Sequence, residues 1–232
     1  MKFKSALIIG ALALANCNLW ASARQDTIER LHMASNVLLA LTNTPDKGIP
    51  EDVMNSAKCI VVFPHLLKAG FIFGGEHGRG VATCRTSTGW SAPAFVSIGG
   101  GSWGLQIGVE GIDLVMLVMN DHGLQHLLTN KFELGGDASA SAGPVGRETS
   151  ASTSVMANSE ILTYSRSRGA FAGITLDGSV VEQDHDSTDA IYGHNTDFHR
   201  VLAGDVKAPA STLPFLHTVA MVSHKSEVAE GK

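Results

Sequence analysis

Apolar residues fall at Ile28, Leu31, Val37, Leu38 and Leu41 between Arg24 and Asn43. That spacing predicts an amphipathic helix with one side in water. Pro50, Glu51 and Asp52 then read as the first turn of a second, short helix. Proline fits where no backbone donor is needed, and acids suit the positive end of the helix dipole. From Lys58 the pattern changes. Ile60 to Phe63 is a strand, and two more are expected over 79–86 and 90–98, parted by Gly89. Leu105, Ile107 and Val109 alternate in one phase, whereas Ile112, Leu114, Met116 and Val118 alternate in the other. The slip at Gly111 predicts a bulge or bend there. Residues 114–119 are apolar on both faces, which marks a central strand. Asp121 is placed to cap a short helix through Leu128, and Asp197 to Leu202 is a further helical segment. Ile161 to Arg166 and Gly169 to Leu176 read as strands, with Asp177-Gly178 after them as a two-residue hairpin turn. Beyond Pro209 the signals fade, so 210–232 is expected to be a loosely attached tail. No period of 20–50 residues repeats.

The first residues stand apart from this pattern. A basic start (Met1 to Lys4), a short apolar run (Ala6 to Ala15) and Ala21-Ser22-Ala23 make a secretory signal over 1–23, cleaved after Ala23. The apolar run is too short to span a bilayer comfortably. Leu14 to Cys17 offers a rival, a lipoprotein-like box that would anchor the chain through Cys17. Asn16 is a poor residue before that cysteine. The expected location is therefore outside the cytoplasm, in the periplasm or at an envelope membrane surface.

The composition is globular: of 232 residues, 44% are hydrophobic and 17% charged. Removing 1–23 takes two lysines and no acid, leaving 15 basic and 22 acidic side chains, net −7 with histidine neutral. That argues against a broad nucleic-acid footprint. It also weakens attraction to anionic membranes by net charge, though a local basic patch still acts. Cys59 and Cys84 remain. An oxidising compartment permits a disulfide between them, and two buried thiols on apolar strands are the simpler expectation.

Gly74, Gly75, Gly78 and Gly80 form a glycine-rich stretch after an apolar run. Their spacing is not G-x-G-x-x-G, no Gly-Lys-Ser/Thr follows, and Val81 to Cys84 carries no helical face. A phosphate cradle needs a helix N-terminus at that point. The stretch reads as a hairpin turn between antiparallel strands, with no nucleotide and no cofactor. Gly100 to Gly104 matches G-x-S-x-G with Ser102 as nucleophile, leaving a serine hydrolase as a remote reading. A nucleophile elbow sits between a strand and a helix, and a strand-like pattern follows here. His122 and His126 are four apart and can share a helix face, but the sequence shows no third ligand at a meaningful spacing. No metal site is assigned, and no nucleophile, base and orienting group come together.

A set of short motifs runs through the chain in order. They are Lys68 to Phe71 (KAGF), Gly78 to Gly80 (GRG), Gly89 to Pro93 (GWSAP), Gly104 to Gly108 (GLQIG) and Asp113. Then come Ala142 to Arg147 (AGPVGR), Tyr164 to Gly169 (YSRSRG) and Phe171 to Gly173 (FAG). This ordered set resembles SYLF domains, over roughly 35–209. The resemblance implies one domain over 24–209, of α+β class. Its core would be a glycine-rich, antiparallel, barrel-like sheet with N-terminal helices and short peripheral helices. It also implies no known catalysis: eukaryotic members are associated with phosphoinositide binding, and some with actin. The segment 137–154, flexible by composition, then becomes folded over 138–147, with Pro144 and Gly146 in a fixed turn. The expectation is a non-enzymatic module that binds membrane phospholipid or another amphiphile. Leu38 and Leu41 would face lipid, and Lys68, Arg79, Arg85 and Arg147 would hold phosphate if they converge. Arg147 could instead pair with an internal acid. The alternative function is a structural or protein-interaction module, actin-binding-like, without lipid specificity.

Overall fold

The computed structural model describes residues 2–44, 48–70, 73–103, 108–145, 159–167, 170–171 and 176–223. Helices α1 (Lys2–Thr42) and α2 (Glu51–Ser56) come first. Five strands follow: β1 (Cys59–Gly70), β2 (Phe73–Thr86), β3 (Gly89–Trp90), β4 (Ala94–Trp103) and β5 (Gly108–Val118). Next are α3 (Asp121–Leu128), β6 (Lys131–Glu133), β7 (Ala140–Ala142), β8 (Ile161–Ser167), β9 (Ala170–Phe171) and β10 (Val180–Gln183). Helices α4 (His185–Tyr192) and α5 (Phe198–Ala203), a 3-10 turn (Ala210–Thr212) and α6 (Leu213–Ser223) complete the described chain. The class is α+β. The strands curl into a half-barrel in the order β6-β10-β4-β2-β1-β5-β8-β7, with β3 beside β2 and β9 beside β8. Among the described strands only the β7–β8 pair runs parallel.

The centre of the sheet is buried on both faces because its strands are apolar at every position. Cys59, Val61 and Phe63 point into one layer with Ile112, Leu114 and Met116, joined there by Leu127 of α3 and Val201 of α5. Ile60 and Val62 point into the other with Val115 and Leu117. That second layer is closed by Leu31, Leu38 and Leu41 of α1, Val53 of α2 and Phe215 and Val219 of α6. We call it the α1 face.

β1 changes character at Pro64 and His65. The β1–β5 register shifts by one residue between Phe63 and Leu66, and the β1–β2 register between Val62 and Leu67. This is a single-residue bulge, with His65 at φ 61°. The expected bulge at Gly111 is therefore corrected: β5 pairs without interruption with β8 from Ile112 to Val118, and the extra residue lies in β1. Gly111 leaves room for the His65 ring, which a Cβ there would approach to 2.4 Å. The phase slip in β5 has another cause. Beyond Gly111 the apolar residue, Val109, is on the α1 face and is 67% exposed, while Ile112 onward fills the opposite layer.

The glycines of β2 are corrected as well. Gly74, Gly75, Gly78 and Gly80 lie inside a fourteen-residue strand, not in a turn. A Cβ at Gly78 would come within 2.9 Å of Leu66 Cδ1, and one at Gly80 within 2.5 Å of the Phe63 ring. Glycine here lets large β1 side chains lie across the neighbouring strand.

Cys59 and Cys84 are direct cross-strand partners and form a disulfide, so the two-thiol expectation is overturned by register. Asn120, not Asp121, caps α3, its side chain accepting from Gly123 N at 2.9 Å. Asp197 caps α5 through Arg200 N. Asp177 and Gly178 do turn, with Gly178 at φ 83°, but the strand after them pairs with β4 and β6. Of the expected strand 169–176, Ala170 and Phe171 form β9 and Leu176 lies outside any strand, while 169 and 172–175 lie outside the described residues. Residues 140–142 are strand β7, whereas Gly146 of the expected turn lies outside the described residues. The tail expectation fails through Ser223: Phe215 and Val219 are 1% and 0% exposed against α1 and the sheet.

Candidate binding surface

Leu38 and Leu41, expected to face lipid, are both 0% exposed. The apolar stripe of α1 is spent on the sheet, which corrects the helix-insertion part of the expectation. Leu39 instead borders a groove of about 350 Å³ between α1, α2 and α6, lined also by Thr42, Ile49, Met54 and Met221.

The expected basic residues do not converge. Cross-strand partners point to the same face of a sheet, and Lys68 is the partner of Glu76, on the face opposite α1. There Lys68 Nζ lies 2.8 Å from a Glu76 carboxylate oxygen, with both side chains nearly buried. The Ser179 hydroxyl also donates to Glu76. Beside them the Ser167 hydroxyl donates to Glu110, and Glu110 is the β5 partner of Lys68.

Arg79 and Arg85 lie on the α1 face, six residues apart along β2 and hence about 20 Å from each other. Arg85 closes α2. Its Nε donates to Ala57 O at 3.0 Å and its Nη2 to Asn55 O at 3.1 Å, supplying cationic donors to the carbonyls at a helix C-terminus. Its guanidinium also stacks 4.5 Å from the Trp90 ring centroid, and burial lowers its pKa. Arg79 Nε stands 3.8 Å from Asp184 and keeps a half-exposed side chain. Asp184 is a buried hub, not part of a solvated turn. It accepts from Arg30 Nη1 at 3.3 Å and from the Ser187 hydroxyl at 2.7 Å, and it caps α4 through Ser187 N. Arg30 is itself buried, and desolvation lowers its pKa. The pair ties α1 to α4. Arg147 lies outside the described residues.

Met221 in the groove between α1, α2 and α6 is exposed, and an exposed apolar pair lies on the sheet. Past the β1 bulge, Leu67 (44% exposed) and Val109 (67% exposed) stand on the α1 face beyond the reach of its helical cover. Leu67 is directly opposite His77, and Ala69 is opposite both Val109 and Gly75. His77 and Arg79 follow on the same face of β2, both exposed. The result is a patch with apolar side chains toward the strand ends and a histidine and an arginine next to them. Asp113, the acid of this face on β5, is engaged by Arg166 at 2.7 Å and by the bulge amide of His65 at 3.3 Å. Phase could have revealed the patch: Leu67 falls out of step with Leu66, as Val109 does with Ile112.

Ser102 lies in β4, paired with Gly74, and the next described element is strand β5. Among the described residues no helix directly follows Ser102, so the strand-to-helix turn of a nucleophile elbow is not seen there. On α3, His122 Nδ1 lies 2.8 Å from Glu160 Oε1, with His126 in the same cluster.

Comparison with known proteins adds a family. Residues 99–222 match the family described as Ysc84, Las17-binding protein actin regulator. The chain is 36% identical over 175 residues to Protein YSC84 of Saccharomyces cerevisiae, covering 74% of this chain and 37% of the yeast protein. It is 33% identical over 178 residues to LAS seventeen-binding protein 3 of the same yeast, covering 75% and 39%. It is 31% identical over 188 residues to SH3 domain-containing YSC84-like protein 1 of Bos taurus, covering 80% and 55%. The chain thus matches only about two fifths to just over half the length of these relatives.

Proposed function

The chain belongs to the Ysc84 family, and from that premise we propose that it is a non-enzymatic binding module that docks on phospholipid surfaces. The observation that carries this reading is the patch of Leu67 and Val109 with His77 and Arg79 beside it. An exposed apolar pair beside an arginine and a histidine suits a surface that is anionic outside and apolar within. A net charge of −5 does not oppose this reading, because local charge and not total charge meets the head groups. Export, as signalled by residues 1–23, is part of this reading. The Cys59–Cys84 disulfide supports it, since such bonds persist in oxidising compartments.

Co-sedimentation with phosphatidylglycerol-containing vesicles and with pure phosphatidylcholine vesicles tests the proposal. The wild-type chain pellets with the anionic vesicles. Leu67→Asp combined with Val109→Asp leaves it in the supernatant with an unchanged melting temperature. Failure of the wild-type chain to pellet, or pelleting indifferent to both substitutions, rejects lipid docking at this patch.

A protein partner is the second reading. The family description, which names an actin regulator that binds Las17, favours it. Sedimentation with actin filaments, alongside the vesicles, separates the two.

A further inference from the structure

Helix α3 carries His122 and His126 one turn apart, on the side that meets the start of β8. Gly123 makes that contact close: a Cβ there would lie 2.9 Å from Glu160 O. The approach brings Glu160 to both histidines. One ligand atom from each of the three side chains lies within 4.8 Å of the others. His122 Nδ1 and Glu160 Oε1 are 2.8 Å apart. The two imidazole rings meet edge to face, with centroids 4.7 Å apart.

Two further observations bear on what this cluster does. First, Glu160 is held in place. Its Oε2 accepts from Ser139 N at 3.1 Å, and its own amide donates to the Ser139 hydroxyl at 3.2 Å. Such outer contacts orient a metal ligand. Second, His126 Nε2 is buried and has no hydrogen-bond partner among the described residues. A buried ring nitrogen without a partner is costly in a protein interior. A metal ion bound through Nε2 would satisfy it.

We propose that His122, His126 and Glu160 form a divalent transition-metal site, with zinc as the natural occupant. Two imidazoles and a carboxylate are a zinc donor set, with bonds of about 2.0–2.2 Å. Around a tetrahedral ion those bond lengths put ligand atoms about 3.3–3.5 Å apart. The separations seen here bracket that value, so rotation of the side chains on a fixed backbone completes the site. Three protein ligands leave a fourth position for water or an anionic oxygen. The ion would clip α3 to the edge where β7 and β8 meet. The sequence hides the third ligand because 33 positions of chain separate Glu160 from His126 by number, and only the fold closes that gap.

The site lies at the end of β5 away from Val109, so it stands independently of the lipid patch. Calorimetric titration of the chelator-stripped full chain with zinc chloride tests it. One zinc binds per chain, and thermal melting rises on saturation. His122→Ala and Glu160→Gln each weaken binding at least about tenfold and abolish the rise in melting temperature. His122 is largely exposed, so His122→Ala keeps the zinc-free melting temperature and isolates ligation from folding. His194→Ala removes a second histidine–carboxylate pair, His194 with Asp189, and leaves the titration unchanged. No zinc uptake by the wild-type chain overturns the proposal. So does uptake that survives His122→Ala and Glu160→Gln, or that is lost in His194→Ala.

Discussion

The same strands build two unlike halves. From Cys59 to Phe63, β1 is 0% exposed at every residue, with apolar side chains on both faces and helices over the α1 face. From Leu66 to Gly70 the same strand has a salt-bridged Lys68 on one face and an exposed Leu67 on the other. The bulge at Pro64 and His65 is the border. On the first side, burial of apolar area specifies the structure. On the second side glycines replace packing residues, ionic and hydroxyl groups replace the apolar interior, and apolar side chains face outward. Such a region contributes less to stability and is free to carry binding. One β-sheet thus separates an apolar-packed half from a glycine-rich, partly ionic half along the length of its strands, and the proposed docking patch lies in the second.

The sharpest break of this comparison lies within β1. Phe63→Ala removes a fully buried ring and should cost about 3–5 kcal/mol. Leu67→Ala, four residues on, should stay within about 0.5 kcal/mol. Urea denaturation of the two variants measures both. A comparable loss in each would mean that the outer half is packed as firmly as the inner.

The inner half was largely legible. Ile60 to Phe63 and residues 112–118 announce a central strand by being apolar on both faces, and the N-terminal helix declares its stripe. What the stripe would cover was not legible. Periodicity shows that Leu38 and Leu41 share a face, but not whether that face meets protein or lipid. The outer half was misread for a related reason. Glycine is ambiguous in sequence between a turn and a close approach of side chains, and only Phe63 and Leu66 in place over Gly80 and Gly78 decide it. Arg85 was singled out for its charge, yet its partners are backbone carbonyls of α2, which no residue pattern records. The family resemblance, in turn, was right for the class and the sheet.

The ion pair of the outer half offers a second, smaller test. Lys68→Met leaves Glu76 buried with only the Ser179 hydroxyl as an identified side-chain donor, and should cost about 3 kcal/mol. Adding Glu76→Leu removes the stranded charge and should recover stability to within about 1 kcal/mol of wild type, as for other buried pairs replaced by apolar side chains. The comparison sharpens if it does, because the outer half would then hold its ion pair for a reason other than stability. If the double variant stays as unstable as the single one, the pair is structural and the two halves differ less than their composition suggests.

The smallest effects at neutral pH belong to the two tyrosines, both in the inner half. The chain has no others. Tyr164 stands opposite Val115 on the α1 face, and its hydroxyl has no partner among the described residues. The Tyr192 hydroxyl donates to Pro93 O at 2.6 Å. Burial raises both phenol pKa values above the usual value near 10. Below pH 10 both phenols keep their protons, folded or unfolded, and stability is complete. As pH rises past 10 the unfolded chain releases them first, so it binds fewer protons than the folded chain and stability falls, by up to about 1.4 kcal/mol per pH unit for each tyrosine. The fall ends only at the raised folded pKa. Phenylalanine at either position removes that tyrosine's share of the alkaline loss. At neutral pH the two substitutions should diverge. Tyr192→Phe gives up a hydrogen bond and costs about 1 kcal/mol, whereas Tyr164→Phe removes an unpaired buried hydroxyl and should be neutral or stabilising. Melting curves at pH 7 and above pH 10, read with the ultraviolet absorbance of phenolate, resolve the two. Early ionisation of Tyr164 in the folded chain would show that water reaches the α1 face there, and that the inner half is less tightly closed than its apolar strands require.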